Sequence, residues 1–204
     1  MKVLAFSDLH LGAAHAARLV EASGEVDLVL AAGDFCNARH GLNSAMEMLA
    51  DLKAPVVAVP GNCESFEELQ SAAPEGWYVL HGSGVEIDGI SVFGLGYGVP
   101  VTPFGSWSCD LDEAQAAALL DGCAQADVVM THSPPKGIAD RTSTGLSVGS
   151  TAIRDAIARV QPQLAVCGHV HDCWGEEGRI GASRVVNLGP AGRVFEVAPA
   201  GAAL

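Results

Sequence analysis

Five short runs rich in Val, Leu, Ile and Ala punctuate the chain: KVLAF (2–6), VDLVLAA (26–32), PVVAV (55–59), DVVMT (127–131) and LAVCG (164–168). Apolar runs of this length, with no polar face, are strands covered on both sides. Amphipathic stretches with helical spacing fall between them, at 13–23, 42–53, 65–73, 111–124 and 150–160. The third begins with Ser65-x-x-Glu68, a capping box that marks a helix start. The stretch 78–97, YVLHGSGVEIDGISVFGLG, alternates and carries an Asp88-Gly89 turn, so it reads as an antiparallel hairpin. Two more short strands joined by a Gly-Pro turn close the chain in SRVVNLGPAGRVFEVAP. Parallel β-α units feeding antiparallel strands imply an α/β fold with two sheets instead of one open sheet.

No internal repeat, linker or low-complexity segment divides the 204 residues, and 49% apolar content supplies a sizeable core, so residues 1–204 read as one domain. The N-terminal run is broken by Asp8 and lacks a cleavage pattern, and no stretch reaches the roughly 18 apolar residues of a membrane span. The expectation is a cytoplasmic protein with reduced thiols; its six cysteines include no C-x-x-C pair. Net charge is −13, from 24 acidic against 11 basic residues. With no basic stripe to neutralise phosphates, a polynucleotide partner is disfavoured, which leaves a small substrate. No motif specifies an oligomeric state.

Each apolar run ends in polar residues of one chemical kind. The first enters Ser7-Asp8-Leu9-His10, the second Gly33-Asp34, and the third Gly61-Asn62; the fourth meets His132 and the fifth His169-Val170-His171. Ligands of α/β proteins bind beyond the carboxyl ends of strands, which is the edge these side chains would share. Taken singly, each is a common turn or an ordinary histidine. Together they are Asp, Asn and His only, the donor set of divalent Mn, Fe, Zn and Co.

The ordered set D-x-H, G-D, G-N-x-E, strand-end His and G-H-x-H, spread over residues 8–171, resembles the calcineurin-like metallophosphoesterases. The resemblance implies a two-sheet β-sandwich flanked by helices in four layers. It also implies two divalent ions, with manganese first and Fe, Zn, Co or Ni possible. Asp8, His10, Asp34 and His171 would hold one ion; Asn62, His132, His169 and the bridging Asp34 would hold the other. Asp34, Asn62 and His132 would then be the catalytic residues. The implied reaction is hydrolysis of a small phosphate ester by a hydroxide bridging the ions. Two divalent ions against Asp8, Asp34 and that hydroxide leave one positive charge, which suits a phosphate ester anion. Paired ions about 3.5–4 Å apart can activate water and clamp both oxygens of an in-line displacement.

One position departs from the resembled pattern. Most of the family place His after the motif Asn, where it donates to the phosphate and protonates the leaving oxygen; this chain has Cys63. Some small bacterial, phosphodiesterase-like members share the Cys. A neutral thiol is a weak donor without charge, so Cys63 reads as a substitute for the acid. A cysteine-phosphatase reading needs Arg six residues after the Cys. Cys63 meets Leu69 there; Cys173 meets Arg179, but through Glu176 and Glu177, which repel phosphate. Glu64 reads as a helix-dipole carboxylate beside the Ser65 cap, and His15 as solvated. Arg39, His40 and Arg141 are candidate substrate contacts, and the Gly/Ser/Thr-rich stretch 132–150 is long enough to serve a site. Phosphodiester hydrolysis leads; a phosphomonoesterase of the same mechanism and a non-catalytic protein-binding scaffold are the alternatives.

Overall fold

The computed structural model describes residues 1–199. In the first sheet β1 (Lys2–Phe6), β2 (Leu28–Ala31), β3 (Val56–Ala58) and β4 (Tyr78–Val79) run parallel. β11 (Arg193–Glu196) pairs antiparallel with β1, placing Lys2 opposite Glu196. The second sheet has the spatial order β5 (Ser83–Ile87), β6 (Ile90–Leu95), β7 (Val128–Thr131), β8 (Leu164–Cys167), β10 (Ser183–Asn187) and β9 (Glu177–Ile180). Its inner strands are parallel, and β5 and β9 are antiparallel edges.

Strand alternation assigns every side chain to a layer. Val3, Ala5, Leu28 and Leu30 of the first sheet meet Val128, Met130, Leu164 and Val166 of the second in the core between the sheets. The intervening Leu4, Phe6, Val29 and Ala31 pack outward under α1 (Ala13–Ala22), α2 (Leu42–Leu49) and α3 (Phe66–Ala72), through Leu19, Met46 and Leu69. Val129, Ala165 and Val185 pack under α4 (Glu113–Leu120) and α5 (Thr151–Val160), through Leu120, Ile153 and Ile157. The result is the four-layer, helix-flanked sandwich. Among the described residues no helix is long and apolar enough to cross a membrane.

The expected hairpin at 78–97 is shorter than its alternation suggests. Tyr78–Val79 belongs to the first sheet and only 83–95 forms the hairpin. The chain changes sheets within three residues, as Leu80 N–H donates to Ala58 O and Gly82 N–H to Gly94 O. Gly82 takes φ +67 at that step, a conformation open to glycine. The last two strands likewise separate, β10 into the second sheet and β11 into the first. β9, EGRI, escapes sequence reading because Glu177 and Arg179 are exposed on an edge and no apolar alternation marks it.

Leu30 is fully buried between the sheets, whereas Val194 is 50% exposed on β11. Leu30→Ala is expected to cost about 2–5 kcal/mol. Val194→Ala is expected to stay within about 0.5 kcal/mol, the scale of ordinary surface changes. Urea unfolding of both variants measures the difference; equal costs would place the core elsewhere.

Candidate metal centre

The carboxyl ends of the parallel strands from both sheets open onto one edge of the sandwich. Asp8 and His10 follow β1, Asp34 follows β2, Asn62 follows β3, His132 follows β7, and His169 and His171 follow β8. There the donor atoms fall into two groups able to hold an ion, Asp8–His10–Asp34–His171 and Asp34–His132–His169, with Asp34 in both.

Hydrogen bonds on the far side of two of the rings decide where the free nitrogen points. His10 Nδ1 lies 2.9 Å from Cys36 O and His132 Nδ1 2.8 Å from Ala32 O. A carbonyl only accepts, so both Nδ1 atoms carry hydrogen and both Nε2 lone pairs face inward. His132 Nε2 is then 3.2 Å from Asn62 Oδ1 and 3.5 Å from Asp34 Oδ1, while His169 Nδ1 is 3.0 Å from the same Asn62 oxygen. The Asn62 amide is oriented by its own donor, Nδ2, which bonds Ser108 Oγ at 3.1 Å. His10 Nε2 lies 3.2 Å from His171 Nε2 and 3.5 Å from Asp34 Oδ2, and His171 Nε2 is 3.7 Å from Asp8 Oδ1. Acceptors crowding one another call for a shared cation or a proton. Donors bound to one ion at about 2.0–2.2 Å sit roughly 3.0–3.5 Å apart, so these spacings and this donor set fit divalent metal.

The charges respond accordingly. Burial would raise the Asp34 carboxyl, but His132 chiefly, then His10 and His169, hold it well below the usual range. Burial would lower His132; the Asp34 carboxylate outweighs this and brings it up to about 9. His169 is pushed down to about 4 by burial and by the neighbouring His132 charge. Contact with Asp8 raises His171. The Asp34 carboxylate thus draws positive charge towards His132 Nε2, the place where a bound ion would supply it.

Backbone geometry gathers these side chains at a cost. Asp8, His10, Asp34 and His169 all have positive φ, 53°, 44°, 58° and 68°. Such conformations cost about 1–3 kcal/mol each outside glycine and collect at functional sites. Gly61 permits the closest approach, since a Cβ there would overlap the Asp34 carboxylate and backbone nitrogen.

Glu64 corrects the sequence reading. It is fully buried and does not serve the helix dipole as a solvated charge. Its carboxylate accepts from the backbone N–H groups of Gly61 at 2.6 Å, Asp34 at 2.8 Å and Phe35 at 3.2 Å, tying the turns after β2 and β3 together. Burial and the Asp34 charge push it up to about 7, against the pull of those amides. Trp174 was also missed: its indole N–H donates to Asp8 Oδ2 at 3.0 Å and its ring lies 4.5 Å from that of His171. The signal available was only that a Trp follows G-H-x-H by three residues.

The remaining candidates divide. Cys63 lines the cleft over the two groups, 4% exposed, its N–H donating to Asp34 Oδ1 at 2.8 Å. Burial, then the Asp34 charge, raises its thiol, which keeps it neutral. Arg39 points away into a pair with Glu68 at 2.6 Å and a 2.8 Å contact to Cys109 Sγ. His40 lies exposed in the turn it closes with Asn37, and Arg141 donates to Gly145 O. None of these three lines the cleft. Cys173 donates to Arg141 O while Arg179 bonds Ala182 O, so they form no phosphate loop. His81 packs between Phe66 and Tyr97, a structural role. His15 is half-buried with an unpartnered Nδ1, contrary to its solvated reading.

Comparison with known proteins places the chain in a family. Metallophosphoesterase domain-containing protein 1 of Homo sapiens is 31% identical over 149 residues, 67% of this chain and 43% of that protein. The chain spans less than half the length of the curated relatives it matches. TT1561 of Thermus thermophilus superposes with a TM-score of 0.71 at 17% identity, covering 93% of this chain and 90% of that one. A dimetal phosphatase from Danio rerio gives 0.61 at 13% identity, over 94% and 88% of the two chains. These two share the fold. The family model for the calcineurin-like phosphoesterases matches residues 1–173, and the chain belongs to that family.

Proposed function

We propose that this chain is a phosphoester hydrolase using two divalent ions, with phosphodiesters preferred, built as a single domain. The observation that carries the reading is Asp34, one carboxylate common to two donor groups. Asp8, His10, Asp34 and His171 would hold one ion; Asn62, His132, His169 and Asp34 the other. Manganese is the first ion to test, and iron, zinc, cobalt and nickel suit the same donors. Bound there, two ions would lower the pKa of the attacking water and neutralise charge on the phosphoryl oxygens.

The chain's own residues do the positioning. Glu64 holds the backbone of Asp34 and Gly61, Ser108 turns the Asn62 oxygen inward, and Ala32 O fixes the His132 ring. Among the described residues Lys136 is the only Lys or Arg lining the cleft, and its ammonium donates to Ser147 O at 2.6 Å. A diester monoanion needs less positive charge than a monoester dianion. The neutral Cys63 favours the same class, because it offers no strong acid to an alkoxide leaving group.

Elemental analysis of reconstituted protein should approach two ions per chain, and Asp34→Asn should hold fewer. Its turnover should fall at least about a hundredfold below that of Asp155→Asn, a change on the exposed face of α5. Loading that stops at one ion in the parent protein would sink the two-ion reading.

Glu64→Gln leaves backbone N–H groups facing an amide and should cost about 1–3 kcal/mol in metal-free protein, read by urea unfolding. It should weaken metal uptake as well. An unchanged midpoint would remove Glu64 from the frame of the site.

General acid assistance is worth about a hundred- to ten-thousandfold, and Cys63 is too weak an acid to give it. Cys63→Ala should therefore leave aryl diester turnover nearly unchanged, while Cys63→His should raise turnover of esters with poor leaving groups. The slope of log rate against leaving-group pKa measures both. A large loss on aryl diesters in Cys63→Ala would make the thiol a participant.

A further inference from the structure

The cleft over the two donor groups encloses about 750 Å³, a volume typical of small-molecule sites. Its floor holds the donor groups, and its walls set a cluster of exposed apolar side chains among Thr102, Lys136, Thr142, Thr144, Ser147 and Asp172. One wall is the segment after β6, with Val101 and Phe104, 62% and 50% exposed, and Trp107; the other carries Leu146, 63% exposed. Three of the six large apolar side chains exposed among the described residues therefore face this one cleft. Isolated exposed apolar residues are ordinary, whereas a cluster rimming a polar floor marks a binding surface.

We propose that this wall binds the substrate's ester substituent as a planar aromatic ring, packed against the stacked pair Phe104–Trp107; this rests on the hydrolase reading above. Phe104 and Trp107 lie nearly parallel, 12° between planes and 5.6 Å between centroids. Phe104 is also 6.3 Å from the ring of His169, itself a member of the second donor group. A phosphoryl group held at the floor thus carries its substituent directly along the aromatic wall. Among the described residues Lys136, bonded to Ser147 O, is the one Lys or Arg of the lining, whereas aromatic faces line the wall beside the donor groups, so the wall suits a neutral ring better than a second phosphate. Leu146 and Val148 add aliphatic surface to the same cleft. The ring can be an aryl group on the phosphoryl oxygen or a nucleobase reaching across its sugar.

The test is calorimetric titration of manganese-loaded protein with methyl-, cyclohexyl- and phenylphosphonate and with thymidine 5′-monophosphate. Phenylphosphonate, thymidine monophosphate or both should bind about tenfold or more tighter than methylphosphonate, as buried apolar area requires. The better of the two should also exceed cyclohexylphosphonate by about threefold, because ring stacking adds to area. Which ring compound gains shows whether the ring sits beside the phosphorus or beyond a sugar. Phe104→Ala with Trp107→Ala should collapse the ring-to-methyl ratio towards unity; both side chains project from the surface segment, and urea unfolding of the double variant checks its fold. Affinities that are equal for all four compounds, a cyclohexyl compound that matches the ring compounds, or no binding by any of them would overturn the proposal. Ring-selective binding without turnover of 4-nitrophenyl esters would sink the hydrolase reading and keep the subsite; turnover with no ring preference would sink only the subsite.

Discussion

Three carboxylates, those of Asp8, Asp34 and Glu64, are sealed within one corner of the fold, at most 3% exposed. A buried charge without partners costs far more than any single contact returns, so the architecture of this corner is the architecture of their compensation. Glu64 is answered by backbone amides. Asp8 takes Ser7 Oγ, the His169 N–H and the Trp174 indole. Asp34 takes the Cys63 N–H and faces imidazoles on both sides. These contacts run through the turns after β1, β2, β3, β7 and β8 at the carboxyl edge of both sheets. The site is therefore also the clasp at that end of the sandwich.

The layers were legible because burial leaves its mark in composition. A strand covered on both faces must be apolar at successive positions, and β1, β2, β3, β7 and β8 are. The candidate ligand positions, which the structure gathers at one edge, were legible for a related reason: Asp, Asn or His at the end of a buried strand has no packing role to explain it. The capping box at Ser65 was readable as well, and its reciprocal bonds with Glu68 are present. Where the chain exchanges sheets, as at residues 80–82 and 188–189, the information lies in hydrogen-bond partners far away along the sequence. Local alternation at 78–97 does not encode them.

Glu64 and Arg39 show the same limit from opposite sides. A carboxylate just before a helix and an arginine in a loop both look like solvent-facing groups. Glu64 turns inward because the turns after β2 and β3 present amides that no strand satisfies, and only an acceptor can enter there. Arg39 turns outward because Glu68, whose second carboxylate oxygen is left over by the cap, offers it a partner at the surface. Four left-handed residues among the candidate ligands were equally invisible. Nothing in Asp, His or their neighbours announces such a φ, which is imposed by the convergence of strands from two sheets.

The two sheets contribute unlike chemistry to that convergence. The first supplies both acidic ligand candidates, the amide and one imidazole, as Asp8, Asp34, Asn62 and His10. The second supplies imidazoles alone, as His132, His169 and His171. Neither half could hold a divalent ion well by itself: one is short of neutral nitrogen donors and the other has no charge. A cation that needs both can bind only when the sheets are docked at this edge, so its binding free energy adds to the stability of the docked state. The inter-sheet core of Val3, Leu30, Met130 and Val166 brings the edges together without any ion. Its packing sets how closely Asp34 meets His132, and through that distance the hydrophobic core reaches the chemistry of the site.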